Sequence, residues 1–90
     1  MSKIIKEVEG RDLGHIVQTD DGVQYYVDSA DTFDAGYETM VFLYDEEEDD
    51  VFDWGELFVE HYRKYERMEK RHMEICKNLE RFLHKERRQK

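Results

Sequence analysis

The sequence predicts an α+β domain: a three- to four-stranded antiparallel sheet, wound as a meander, with one long C-terminal α-helix packed on one face. Three features carry that prediction. An Asp-Gly turn separates two β-rich runs. The segment 37–44 is apolar on both of its alternating faces, as a central strand requires. An apolar stripe of helical period then runs from Tyr65 to Phe82. Ninety residues make a single domain, 1–90, near the lower limit for a self-sufficient core.

Residues 1–14 carry only Ile4, Ile5 and Val8 as β-branched apolar side chains, so they read as a weak first strand or an arm. The antiparallel sheet is expected over 15–62. Ile16-Val17-Gln18-Thr19 and Val23-Gln24-Tyr25-Tyr26-Val27 flank Asp20-Asp21-Gly22, and Gly22 supplies the positive φ that the turn demands. Asp28 to Gly36 reads as a polar connection with Phe33 its one large apolar residue. Tyr37 to Tyr44 is the third strand. The acidic run Asp45-Glu46-Glu47-Glu48-Asp49-Asp50 must be a solvated turn, because six adjacent carboxylates cannot be buried unpaired. A fourth strand falls within Val51 to Tyr62, carried by Phe52, Trp54, Leu57 and Val59, with Gly55 marking a bulge or bend. A short helix at 54–59 is the alternative.

Tyr65, Met68, His72, Ile75, Leu79 and Phe82 are spaced 3-4-3-4-3, and Cys76 and Leu83 widen the stripe. This predicts one helix over 63–88, roughly 37 Å long at 1.5 Å per residue. Arg87, Arg88 and Lys90 complement the negative pole of its dipole. Val41, Phe42 and Leu43 are expected to be buried against Ile75 and Leu79. A helix this long overhangs strands of ordinary length, leaving Phe82 and Leu83 to a second copy of the chain. A homodimer through the C-terminal helix is the expected assembly.

The net charge of −9 conceals an asymmetry. Residues 1–60 hold 18 acidic and 3 basic side chains, a balance of −15; residues 61–90 hold 5 acidic and 11 basic ones, a balance of +6. There is no apolar run of signal or spanning length, and Cys76 alone cannot form an internal disulfide. A cytoplasmic protein is expected.

The run Asp31-Thr32-Phe33-Asp34-Ala35-Gly36-Tyr37-Glu38-Thr39-Met40-Val41-Phe42 resembles a signature in small uncharacterised proteins of phages and prophages of Gram-positive bacteria. The order that follows also fits: an acidic turn, Asp53-Trp54-Gly55-Glu56-Leu57, then Tyr62 and a helix bearing His72. The resemblance covers about residues 25–80 and implies a mobile-element origin with host-directed interaction. It carries over no activity and no site residue.

The chemistry-bearing residues point away from catalysis. Asp45, Glu47, Asp49, Asp53 and Glu56 fall on positions 1, 3, 5, 9 and 12 of a calcium loop, but Asp50 stands where that loop needs glycine. Glu69 and His72 have Glu-x-x-His spacing, yet carboxylate-bridged iron sites need two such motifs. His72 reads as a core-edge histidine with one nitrogen in water, and His15, His61 and His84 show no ligand spacing with it. Cys76 reads as a buried small hydrophobe. There is no glycine-rich phosphate loop and no Cys-x-x-Cys.

No catalytic, metal-binding or cofactor-binding residue is therefore expected. The expected function is that of a non-enzymatic, acidic protein–protein interaction module, inhibiting a host protein by imitating a phosphate backbone. Its contact residues are Asp45, Glu46, Glu47, Glu48, Asp49, Asp50, Phe82 and Leu83. The alternative is a nucleic-acid-binding or regulatory homodimer using the basic helix, which the −15 body opposes.

Overall fold

The computed structural model describes residues 1–10, 12–34 and 36–88, and their side chains apart from those of Asp53, Trp54 and residues 84–88. Five strands lie side by side in chain order, each antiparallel to the next: β1 (Lys3–Glu7), β2 (Leu13–Gln18), β3 (Gln24–Asp31), β4 (Tyr37–Asp45) and β5 (Asp50–Tyr62). Two short helices follow, α1 (Tyr65–Lys77) and α2 (Leu79–Arg88). The protein is thus mostly β, a curled antiparallel sheet with short helices. This corrects the expected α+β domain of three or four strands and one long helix.

Each departure has a local cause. β1 is an edge strand whose five residues are all exposed, so no apolar alternation announces it. Pairing alone defines it, from Lys3 opposite Gln18 to Glu7 opposite His15. β3 runs on through Asp28, Ser29 and Ala30 because ladders on both sides hold that polar stretch. Ser29 sits between Leu13 and Thr39, and Asp28 between Gly14 and Met40. β5 is one long edge strand with irregular pairing. Asp53 lies opposite Leu43 and Phe58 opposite Val41, so residues 54–57 bulge out of the ladder.

The helix stops at Asn78, whose φ of −132° and ψ of 36° are not helical. Its side-chain amide donates to the Glu74 carbonyl at 3.2 Å, the local competition by which asparagine disfavours helix interiors. Ser2 then fills the break from the far end of the chain. Its hydroxyl donates to the Cys76 carbonyl at 2.6 Å and accepts the Leu79 N–H at 2.8 Å. Two backbone groups freed by the interruption are thereby satisfied in a buried place. The 3-4 stripe reads straight through because Asn78 lies off it.

The break carries α2 onto β5. Leu79 and Leu83 are buried, and the Phe82 ring meets Phe58 edge-on at 5.3 Å under the Arg71 guanidinium at 5.1 Å. No overhang at Phe82 and Leu83 exists, so the apolar surface expected to drive a helix-mediated homodimer is already covered within the chain. The tail residues Arg87, Arg88 and Lys90 lie outside the described side chains.

Strand alternation sorts the apolar residues onto two faces. Val17, Tyr25, Val27, Val41 and Phe58 pack against Ile75, Cys76, Leu79 and Leu83, with Leu43 at the margin. Phe42 does not join them, contrary to expectation. It points to the opposite face with Ile16 and Tyr26, its ring stacked on Tyr26 at 6.1 Å. The curl of the sheet covers that second face. Lys6 on one edge reaches Asp49 in the β4–β5 turn at 2.8 Å, and the Tyr44 hydroxyl also donates to Asp49. A cavity of about 300 Å³ remains inside the curl, between Val8, Ile16, Tyr26, Tyr44 and Val51.

Candidate functional site

The helix-covered face contains a polar seam. Alternation places His15 with Val17 on β2, Ser29 with Val27 on β3 and Thr39 with Val41 on β4, all facing α1. Ser29 and Thr39 are register partners, and their hydroxyls are 2.5 Å apart. Ser29 Oγ lies 2.7 Å from His72 Nδ1, and His72 Nε2 lies 2.8 Å from His15 Nδ1. At the other end Thr39 acts on the Tyr62 hydroxyl, lowering its pKa against the larger effect of burial, and that hydroxyl donates to Glu60 at 2.8 Å. Arg71 closes the row with two bonds to the Glu60 carboxylate, at 2.8 and 3.0 Å. One row of polar side chains therefore crosses the core, from half-buried His15 to the Glu60–Arg71 pair. Among the described residues no buried side-chain polar atom lacks a partner.

Burial sets the protonation of this seam. Desolvation first, then the facing His15, lowers the His72 pKa from 6.5 to about 4, against a smaller opposite pull from Asp28. Burial pushes the Cys76 thiol up to about 12 and raises the Tyr62 phenol. The Arg71 guanidinium holds Glu60 below its usual range. His72 is thus neutral at pH 7 and Cys76 a protonated thiol. Ser29 and His72 have the spacing of a nucleophile and its base, but both are 0% exposed and no substrate reaches them.

The seam corrects two expectations. His72 has both ring nitrogens on protein side chains rather than one in water, and His15 sits against it across 57 residues of chain. Cys76 is the buried small residue expected, but it also belongs to a cluster. Its sulfur and one nitrogen each from His15 and His72 lie within 4.8 Å of one another. Linear spacing cannot reveal such a group, because β2 and α1 meet only in the folded chain. The available signals were the i,i+4 spacing of His72 and Cys76 on one helical face and the strand parity of His15 with Val17 and of Ser29 with Val27. Exposed Glu69 takes no part in the cluster.

The neutral state of His72 has a measurable consequence. The folded pKa lies below the unfolded one, so protons favour the unfolded chain between these values. Stability should be full above pH 6.5 and fall as pH drops toward 4, by roughly 3 kcal/mol at most. Urea midpoints in EDTA buffer between pH 7 and 5 check this, above the range where Glu60 titrates. His72→Gln should flatten the slope; equal slopes in parent and variant would refute it.

The acidic residues singled out from sequence form the β4–β5 turn. Asp45 caps it, accepting the N–H groups of Glu47 at 3.0 Å and Glu48 at 3.4 Å, and Glu46 to Asp50 are exposed. Asp49 has a positive φ of 53° and is anchored by Lys6 and Tyr44. Gln24 donates to Glu46 at 3.1 Å across to the β2–β3 turn. Between these two turns lies an open groove of about 400 Å³. Its floor is Val23, Leu43 and Phe52, and its rim Asp45, Glu46 and Glu47. Phe52 lies in β5, the strand the sequence assigned it to, and is 66% exposed. The two other expected contact residues, Phe82 and Leu83, belong instead to the helix-face core.

No protein-family model, no curated protein and no solved structure matches the chain. Among the described residues no helix is long and apolar enough to cross a membrane.

Proposed function

We propose that the chain is a non-enzymatic protein-interaction module whose β4–β5 turn and adjoining groove receive a basic segment of a partner protein. The observation that supports this is the pairing of an apolar floor with an acidic rim in one groove. An arginine or lysine would lay its aliphatic stem along Val23, Leu43 and Phe52 and put its charged head among Asp45, Glu46 and Glu47. Lys6 and Tyr44 hold the turn in place before any partner arrives, which reduces the ordering entropy of binding. The −15 balance of residues 1–60 steers basic surfaces toward it. A phage origin, as the sequence resemblance implies, suits a module that occupies the basic groove of a host protein and so inhibits it.

An NMR titration with a short arginine-rich peptide tests this reading. Saturable one-to-one shifts should cluster at Val23, Leu43 and residues 45–52. The combined Glu46→Gln, Glu47→Gln and Phe52→Ser variant should bind at least about tenfold more weakly, equivalent to about 1.4 kcal/mol. Unsaturable shifts spread over Glu7, Asp12, Asp20 and Asp31 would reject a built site. Tighter binding of duplex DNA than of the peptide would reject it in favour of the basic face of α1.

A further inference from the structure

We propose that His15, His72 and Cys76 form a site for one transition-metal ion of the zinc type, its fourth position open on the side where His15 meets solvent. This goes beyond the interaction reading, uses none of its residues, and departs from the expectation that no residue ligates a metal.

The donors come from two elements. His72 and Cys76 are four residues apart on α1 and share one helical face, and β2 presents His15 opposite them. Their ligand atoms already lie within 4.8 Å of one another. An ion about 2.0–2.1 Å from nitrogen and about 2.3 Å from sulfur needs donors roughly 3.3–3.6 Å apart in a tetrahedron. The two imidazole nitrogens, at 2.8 Å, now share one proton. An ion in its place opens that gap slightly and draws the sulfur in. His15 is half-buried whereas His72 and Cys76 are fully enclosed, so His15 is the donor that would make the adjustment.

A second observation independently favours ligation. The other nitrogen of His72 rests on Ser29, which is itself held by Thr39. In the tautomer that donates Nδ1–H to Ser29, the Nε2 lone pair faces His15 Nδ1. An outer partner of this kind orients a ligating histidine in metal sites generally. Two imidazoles and a thiolate suit zinc, cobalt or copper rather than calcium or magnesium. Three protein ligands leave one position for water, as in open rather than closed zinc sites.

The balance is simple. Cys76 exchanges its S–H bond for a sulfur–metal bond and releases one proton to solvent. The proton shared by the histidines moves to Nε2 of His15, so the imidazoles stay neutral.

Cobalt(II) titrated into the chelator-stripped full chain tests the site. One equivalent should bind, with a thiolate-to-cobalt charge-transfer band and the intense visible bands of a four-coordinate ion, and zinc should displace it. Cys76→Ser should abolish the charge-transfer band, and His15→Asn should weaken binding by more than about 100-fold. Ser29→Ala should weaken it by about 10–100-fold, the usual effect of losing an outer partner. Glu46→Gln with Glu47→Gln should change nothing. Saturating cobalt without a thiolate band in the unmodified protein overturns the proposal whatever the variants do. So does a band that His15→Asn leaves intact, or tight binding that the two glutamate changes remove.

Discussion

Replacing Leu79 by alanine should destabilise the protein by about 3–5 kcal/mol, a large share of the margin a small domain possesses. Leu79 is fully buried where α2 turns onto the sheet, among Val41, Phe58, Ile75 and Leu83. The neighbourhood cannot collapse into the gap. The Leu79 N–H is fixed to Ser2, and Ser2 is fixed in turn to the Cys76 carbonyl. Phe42→Ala should cost less than its larger side chain suggests. Phe42 belongs to the second cluster, which borders an existing cavity and is covered only by the curl of the sheet. Urea denaturation of both variants at pH 7 checks the comparison. A loss below about 1 kcal/mol for Leu79→Ala would mean that the helix-face core is not packed as described.

Gly36→Ala should cost about 3 kcal/mol or more, and the reason is a single contact. Gly36 has a φ of +86°, a conformation that costs a residue with a side chain about 1–2 kcal/mol. A Cβ there would also stand 2.5 Å from the Tyr62 carbonyl oxygen. That oxygen belongs to backbone at the end of the β4–β5 ladder, beside the Tyr37–Tyr62 pair. Gly36 also accepts both the N–H and the hydroxyl of Thr32 through its own carbonyl, so it cannot shift cheaply. Gly22 is the internal control. Its φ is also +86°, but nothing lies within 4 Å of its added Cβ, so Gly22→Ala should lose only the conformational part. Equal midpoint shifts for the two alanine variants would show that the Tyr62 backbone yields.

Local chemistry was enough to place several elements. Asp20-Asp21-Gly22 specifies a tight turn because glycine alone enters the left-handed region freely, and the turn closes as expected between Thr19 and Val23. Tyr37 to Tyr44 is central because both of its alternating sets are apolar. The same alternation could have shown that Val41 and Phe42 face opposite ways. The stripe through Met68, Ile75 and Leu79 marks the buried helical face, since burial of that face is what selects it.

Tertiary contacts decided the rest. β1 has no burial pattern of its own and exists because β2 offers it a ladder. Ser29 looks like a turn residue until two neighbouring strands, Thr39 and His72 satisfy it. The stripe cannot report the stop at Asn78, because periodicity records which face is buried and not whether the backbone is continuous. Ser2 comes from the far end of the chain to complete that interruption. The His15–His72–Cys76 group belongs to the same class. A strand and a helix distant in sequence bring it together, and pairwise spacing carries no information about a contact made only after the sheet has curled and α1 has docked.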